Sequence, residues 1–148
     1  MPLTVLSPVA GTVVDVADVP DPVFAEQMVG PGVAVEPADG VAVAPVDGRV
    51  VSLHPHAFVV QGDGGAVLVH LGIDTVQLRG DGFDVRTAQD DHVTAGQVLV
   101  TWDPGAVRAG GRATVCPVVV LEVDAGAMTP LAAPGSVVAA GDPLLRVG

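Results

Sequence analysis

The chain has 148 residues, with six Arg and no Lys against 17 Asp and Glu, for a formal net charge of −11. A surface that tracks nucleic-acid phosphates must be basic, so this composition excludes nucleic-acid binding and disfavours anionic membranes, leaving the acidity as a solubility feature. No run approaches the ~18 apolar residues of a membrane-spanning helix, and the single Cys116 excludes an internal disulfide.

The start, Met1 to Ala10, carries no basic segment ahead of an apolar run and so does not read as a secretory signal. With one thiol and no signal, the expected location is the cytoplasm. Hydrophobic residues make up 49% of the chain, with 19 Gly, 13 Pro and no Tyr, which reads as many short strands joined by turns. In chain order, strands are expected at 4–6, 11–16, 33–35, 41–44, 48–53, 56–61, 66–70, 84–86, 98–102, 115–123 and 143–147. Two short helices are expected, from Pro22 to Met28 capped by Asp21, and from Pro104 to Gly110 capped by Asp103, each with Pro at its first position.

The chain repeats itself. Pro8-Val9-Ala10-Gly11-Thr12-Val13-Val14 returns 37 residues later as Pro45-Val46-Asp47-Gly48-Arg49-Val50-Val51. Val93 to Leu99 is echoed by Val138 to Leu144. Repeated strand–turn units imply a duplicated β architecture. No stretch has a linker composition, so residues 1–148 read as a single freestanding domain, and the acidic surface makes a monomer the expected state.

Of four histidines, three cluster at one expected hairpin. Its strands run from His56 to Gln61 and from Gly65 to His70 around the turn Gln61-Gly62-Asp63-Gly64-Gly65. Centring the turn on Asp63 sets His56 directly opposite His70, with Cβ atoms ~4.5–5.5 Å apart. Two opposed imidazoles suit either nucleophilic phosphoryl chemistry, with one ring attacking and the other bonding the phosphoryl oxygens, or a weakly held Zn²⁺. A one-residue slip would separate them onto opposite faces. Gly72 and Gly80 are placed to let a partner's backbone approach. His92, in Asp90-Asp91-His92, reads as surface, and Cys116 as a small buried residue.

The string His70-Leu71-Gly72-Ile73-Asp74-Thr75-Val76, followed by Gly80-Asp81-Gly82-Phe83, resembles the signature of the glucose-type enzyme IIA of the phosphoenolpyruvate–sugar phosphotransferase system. Val19 to Ala25, Ala44 to Gly48, His56-Ala57-Phe58 and Pro117-Val118-Val119 follow that family's order. The resemblance implies a mostly β, antiparallel sandwich with a duplicated hybrid motif. It implies that His70 accepts phosphoryl from phosphorylated HPr, that His56 supports it, and that the next acceptor is a cysteine of an enzyme IIB domain of a glucose- or N-acetylglucosamine-type permease. Asp74 would edge the site, and Phe24, Phe58 and Val69 would form an apolar docking rim. No cofactor is required. Some members carry Thr where this chain has His54, and the long N-terminal tail of some members is missing here.

Three rival readings start from the same residues. His54, His56, His70 and Asp74 have the ligand types of a LytM-like zinc hydrolase, but in the opposite chain order. A lipoyl- or biotinyl-type carrier needs a Lys and fails outright. A purely regulatory binding domain would leave the histidine pair unexplained. No phosphate-cradling Gly-rich loop is present for a nucleotide.

Overall fold

The computed structural model describes residues 2–148. It is built of antiparallel strands in three sheets with two short helices, as the composition implied. The largest sheet has eight strands. Its central members are β3 (Gly32–Pro37), β11 (Cys116–Val120), β7 (Gly65–His70) and β6 (Ala57–Gly62), adjacent in that order. Beyond β3 lie β2 (Gly11–Val14) and β13 (Val137–Val138); beyond β6 lie β5 (Gly48–His54) and β9 (His92–Val93). Two three-stranded sheets complete the sandwich. One orders β1 (Leu3–Leu6), β14 (Pro143–Val147) and β12 (Met128–Pro130); the other orders β4 (Val41–Val43), β10 (Val98–Trp102) and β8 (Phe83–Val85).

Strand alternation divides the large sheet into two apolar faces. Val13, Val33, Val35, Val67, Val69, Val118 and Val120 face the two small sheets, meeting Val5, Leu99, Val100, Leu144 and Leu145 in the main core. Their neighbours Ala34 and Val119 face the other way and form a second cluster with Val16, Val19, Phe24, Ile73 and Val115. β11 is buried on both faces, which is why 116–120 reads as an unbroken apolar run.

The two sequence repeats interlock about a pseudo-twofold axis. Leu6 donates to the Pro45 carbonyl (2.9 Å), and Val43, 37 residues on, donates to the Pro8 carbonyl (2.8 Å). The second repeat pairs with the first in the same way in both halves. Gly96 donates to the Ala44 carbonyl and Gly141 to the Ser7 carbonyl, both at 2.9 Å, with φ of 90° and 94°. The positive φ is why both copies keep Gly at that position.

The expected helices are shorter than read. α1 spans Pro22–Ala25, with the Asp21 carboxylate accepting from the Val23 N–H, and it stops because Gln27 turns left-handed at φ 56°. α2 spans Pro104–Ala109, capped by Asp103 accepting from Ala106. The strand expected over 11–16 ends at Val14, where Asp15 caps a one-turn 3₁₀ segment, Val16–Asp18. β9, β12 and β13 are two or three residues long and had no periodic signal to find. His92 is exposed, as expected.

Candidate functional site

The β6–β7 turn is one residue tighter than the sequence reading supposed. Gly62 pairs with Gly65, leaving Asp63-Gly64 as a two-residue loop, so Ala57 and not His56 stands opposite His70. The slip would have separated the imidazoles had His56 lain in a strand. It does not. His54 pairs with Ala57, and Pro55-His56 form the loop of the β5–β6 hairpin. The turn therefore redirects the His56 ring across to His70, with centroids 5.2 Å apart and planes at 69°. The Leu71 N–H donating to the His56 carbonyl at 2.7 Å holds the two segments together.

His70 ends β7 on the second face of the large sheet, the one that Phe24 covers. The Phe24 and His70 rings meet at 5.3 Å. Carrying the β7–β11 register on by one residue brings Pro117, which has no N–H to donate, level with His70, and the ladder ends there. Past His70 the chain doubles back. Gly72 adopts φ +79°, Ile73 donates to the Ala113 carbonyl at 3.0 Å, and buried Thr75 donates through Oγ1 to the Leu71 carbonyl at 2.8 Å.

That turn fixes the chemistry of the ring. His70 Nδ1 lies 2.5 Å from the Gly72 carbonyl oxygen. A carbonyl only accepts, so Nδ1 carries the proton and Nε2 keeps its lone pair. Burial pushes the His70 pKa below 6.5, opposed by the Gly72 hydrogen bond and by the Asp21 and Asp74 carboxylates. Burial, then the fields of His70 and His54, lower His56 from 6.5 to about 4. At neutral pH both rings are uncharged, His70 with an unprotonated Nε2 and His56 as a second neutral imidazole beside it.

A titration follows from this arrangement. Between pH 6.5 and about 4 the unfolded chain binds a proton at residue 56 that the native chain does not, so His56 costs stability as the pH falls through that window. The imidazole C–H resonance of His56 should titrate near 4, and the stability advantage of wild type over His56→Gln should shrink with acid. A midpoint above 6 would contradict the burial argument.

The glycines have inward roles, unlike the expectation that a partner's backbone would approach them. Gly72 is buried. A Cβ there would sit 2.8 Å from Thr75 Cγ2 and 3.0 Å from the Ala113 carbonyl oxygen; a Cβ on Gly80 would meet Pro55 at 3.2 Å. With a positive φ added to the clash, Gly72→Ala is expected to cost about 3 kcal/mol. A denaturant midpoint equal to wild type would refute this.

The expected docking rim needs correction. Phe58 and Val69 are both fully buried, because strand alternation turns them into the main core, where neither can meet a partner. Phe24 stays at the site through its ring contact with His70, but only 6% of it is exposed. The exposed apolar side chains beside these segments are Val23 (39%) and Val76 (58%). Val76 closes the His70-to-Val76 string, and Val23 adjoins Phe24, so period-two alternation applied to β6 and β7 would have moved attention to them.

Asp74 is exposed in a left-handed conformation (φ 60°) at the start of the 3₁₀ turn Thr75–Leu78. His54 is exposed, with its ring centroid 5.7 Å from that of His56. Among the described residues, no three His, Cys, Asp or Glu side chains converge closely enough to hold a metal ion, so His54, His56, His70 and Asp74 do not assemble a zinc hydrolase centre. Cys116 is buried, its thiol pushed up to about 12.

The comparisons with known proteins agree with one another. The chain is 43% identical over 123 residues to the PTS system glucose-specific EIIA component of Halalkalibacterium halodurans, covering 81% of this chain and 71% of that protein. It is 47% identical over 132 residues to the glucose-specific EIICBA component of Streptococcus pneumoniae, covering 87% of this chain and 18% of that longer protein. The glucose permease IIA of Mycoplasma capricolum superposes with a TM-score of 0.89 at 36% identity, covering 99% of this chain and 96% of that one. Residues 3–126 match the family described as the phosphoenolpyruvate-dependent sugar phosphotransferase system, EIIA 1. Its sequence, its antiparallel sandwich and its paired histidines make this chain a member of that EIIA family.

Proposed function

We propose that the chain is a glucose-type enzyme IIA that carries phosphoryl on Nε2 of His70, from phospho-HPr to a cysteine of an enzyme IIB domain. The observation that carries this reading is the Nδ1 bond to the Gly72 carbonyl, which leaves Nε2 as a fixed, unprotonated nucleophile beside a second neutral imidazole. The Nε2 lone pair forms a bond to phosphorus while the bond from phosphorus to the donor breaks, its electron pair returning to the donor. Onward transfer reverses the roles: the cysteine sulfur bonds to phosphorus and the pair returns to Nε2. His56 donates a hydrogen bond to the phosphoryl oxygens as the group passes. Asp74 edges the site, and Phe24 with Val23 and Val76 supplies the apolar docking rim.

As a phosphotransferase component the chain acts in sugar uptake. The joining of C, B and A parts in the name of the Streptococcus pneumoniae relative supports a IIB partner. Among the described residues no helix is long and apolar enough to cross a membrane. We place the 148 residues, as one IIA unit and a monomer, in the cytoplasm. No metal or other cofactor takes part in the transfer.

The test is reconstitution. With phosphoenolpyruvate, enzyme I and HPr all present, the chain should gain one acid-labile phosphoryl mass, lose it to a IIB domain, and do so equally after exhaustive chelation. No gain from a competent donor would overturn the reading. A rate that collapses on chelation and returns with Zn²⁺ would overturn its metal-free chemistry.

A further inference from the structure

A cleft of about 450 Å³ shares the Asp74 wall of the His70 site. Ile73, Asp74 and Gln77, on the segment leaving β7, form one side, and the loop after α2 that carries Arg112 forms the other. The sides are tied by the Ile73 N–H to the Ala113 carbonyl at 3.0 Å and by Arg112 Nη2 donating to Gln77 Oε1 at 3.1 Å.

Arg49, Arg86 and Arg108 are paired with Asp90, Asp84 and Glu36. Arg79, Arg112 and Arg146 have no ion-pair partner among the described residues, and of these Arg112 alone has a buried, unpartnered Nε. The Arg112 peptide N–H is spent on the Val107 carbonyl. Because Gln77 accepts through Oε1, its amide N–H groups remain free. The cleft therefore offers a guanidinium and an amide, held together and both acting as donors, beside the reacting histidine.

We propose that this cleft receives a carboxylate side chain of the protein that delivers phosphoryl to His70, anchored on Arg112 and Gln77. The donors select the occupant. A guanidinium fork beside an amide N–H matches the two oxygens of a carboxylate, and the Asp74 carboxylate on the same wall opposes a more highly charged anion. The same face then presents carboxylates (Asp21, Asp74) for basic partner groups and one cation for an acidic group, which fixes the partner's orientation as well as attracting it. This inference rests on the phosphocarrier reading above.

The experiment measures phosphoryl transfer from phospho-HPr to wild type, R112Q and R112E, with phosphoramidate as a small donor that needs no docking. R112E should lower kcat/KM for phospho-HPr about tenfold through KM, with R112Q intermediate. The phosphoramidate rates of all three should agree. R112Q keeps most of the side chain's bulk and carries the test if R112E fails to fold. Equal kcat/KM across the series, or a matching fall with phosphoramidate, would overturn the proposal. So would inorganic phosphate shifting the Arg112 Nε–H resonance at millimolar concentration while phospho-HPr transfer to R112E stays normal, which marks a small-anion site. Failure of wild type with both donors would instead overturn the phosphocarrier reading.

Discussion

His70→Ala is expected to accept no phosphoryl from phospho-HPr: its intact mass stays unchanged while wild type gains one phosphoryl group, a loss of more than about 10³-fold in rate. No other side chain can substitute for His70. A phosphoryl acceptor here must be uncharged, accessible and held with its lone pair outward. His70 is uncharged at neutral pH and only part-buried, and with its Nδ1 proton committed to the Gly72 carbonyl the lone pair is left on Nε2. The neighbouring His56 ring makes no hydrogen bond among the described residues that would fix its tautomer, and it lies in a turn rather than at a strand end. Cys116 is buried with its thiol pushed up to about 12, so no thiolate is offered to a partner. Normal phosphorylation of His70→Ala would move the site elsewhere.

His56→Gln should separate extent from rate. The extent of phosphorylation depends on His70 and the donor, so it should match wild type given time. The rate of onward transfer to the IIB cysteine should fall by about 10²-fold, the usual cost of removing one donor from a developing charge. Gln retains an N–H but not the ring that the Pro55-His56 turn aims at His70 from 5.2 Å. The readout is single-turnover decay of the phosphorylated protein on mixing with IIB. Equal decay of the two proteins would remove His56 from the mechanism.

Much of this was legible in the sequence because it rests on local rules. Asp21-Pro22 and Asp103-Pro104 announce helix starts by capping chemistry, and both carboxylates cap as expected. The repeats announced a duplicated architecture, which appears as the matched Leu6–Pro45 and Val43–Pro8 hydrogen bonds. What failed was register. Residues 61–65 allow a two- or a three-residue hairpin loop, and nothing local decides between them. The pairing of His56 with His70 survives for a different reason from the one inferred, because Pro55 makes a turn of what had been read as a strand start. Phe58 and Val69 belong to the core by alternation: Val69 is two residues from the core-facing Val67, and Phe58 stands opposite Val69 on β6. The tautomer of His70 was not legible at all. It depends on a carbonyl aimed back by the positive φ of Gly72, a three-dimensional closure that no spacing reveals.

The most direct measurement is long-range proton–nitrogen NMR of the phosphorylated protein, with the phosphorus coupling located on the His70 ring. Phosphorus is expected on Nε2, with Nδ1 still protonated and donating to the Gly72 carbonyl. Phosphorus on Nδ1, or on the His56 ring, would contradict this placement.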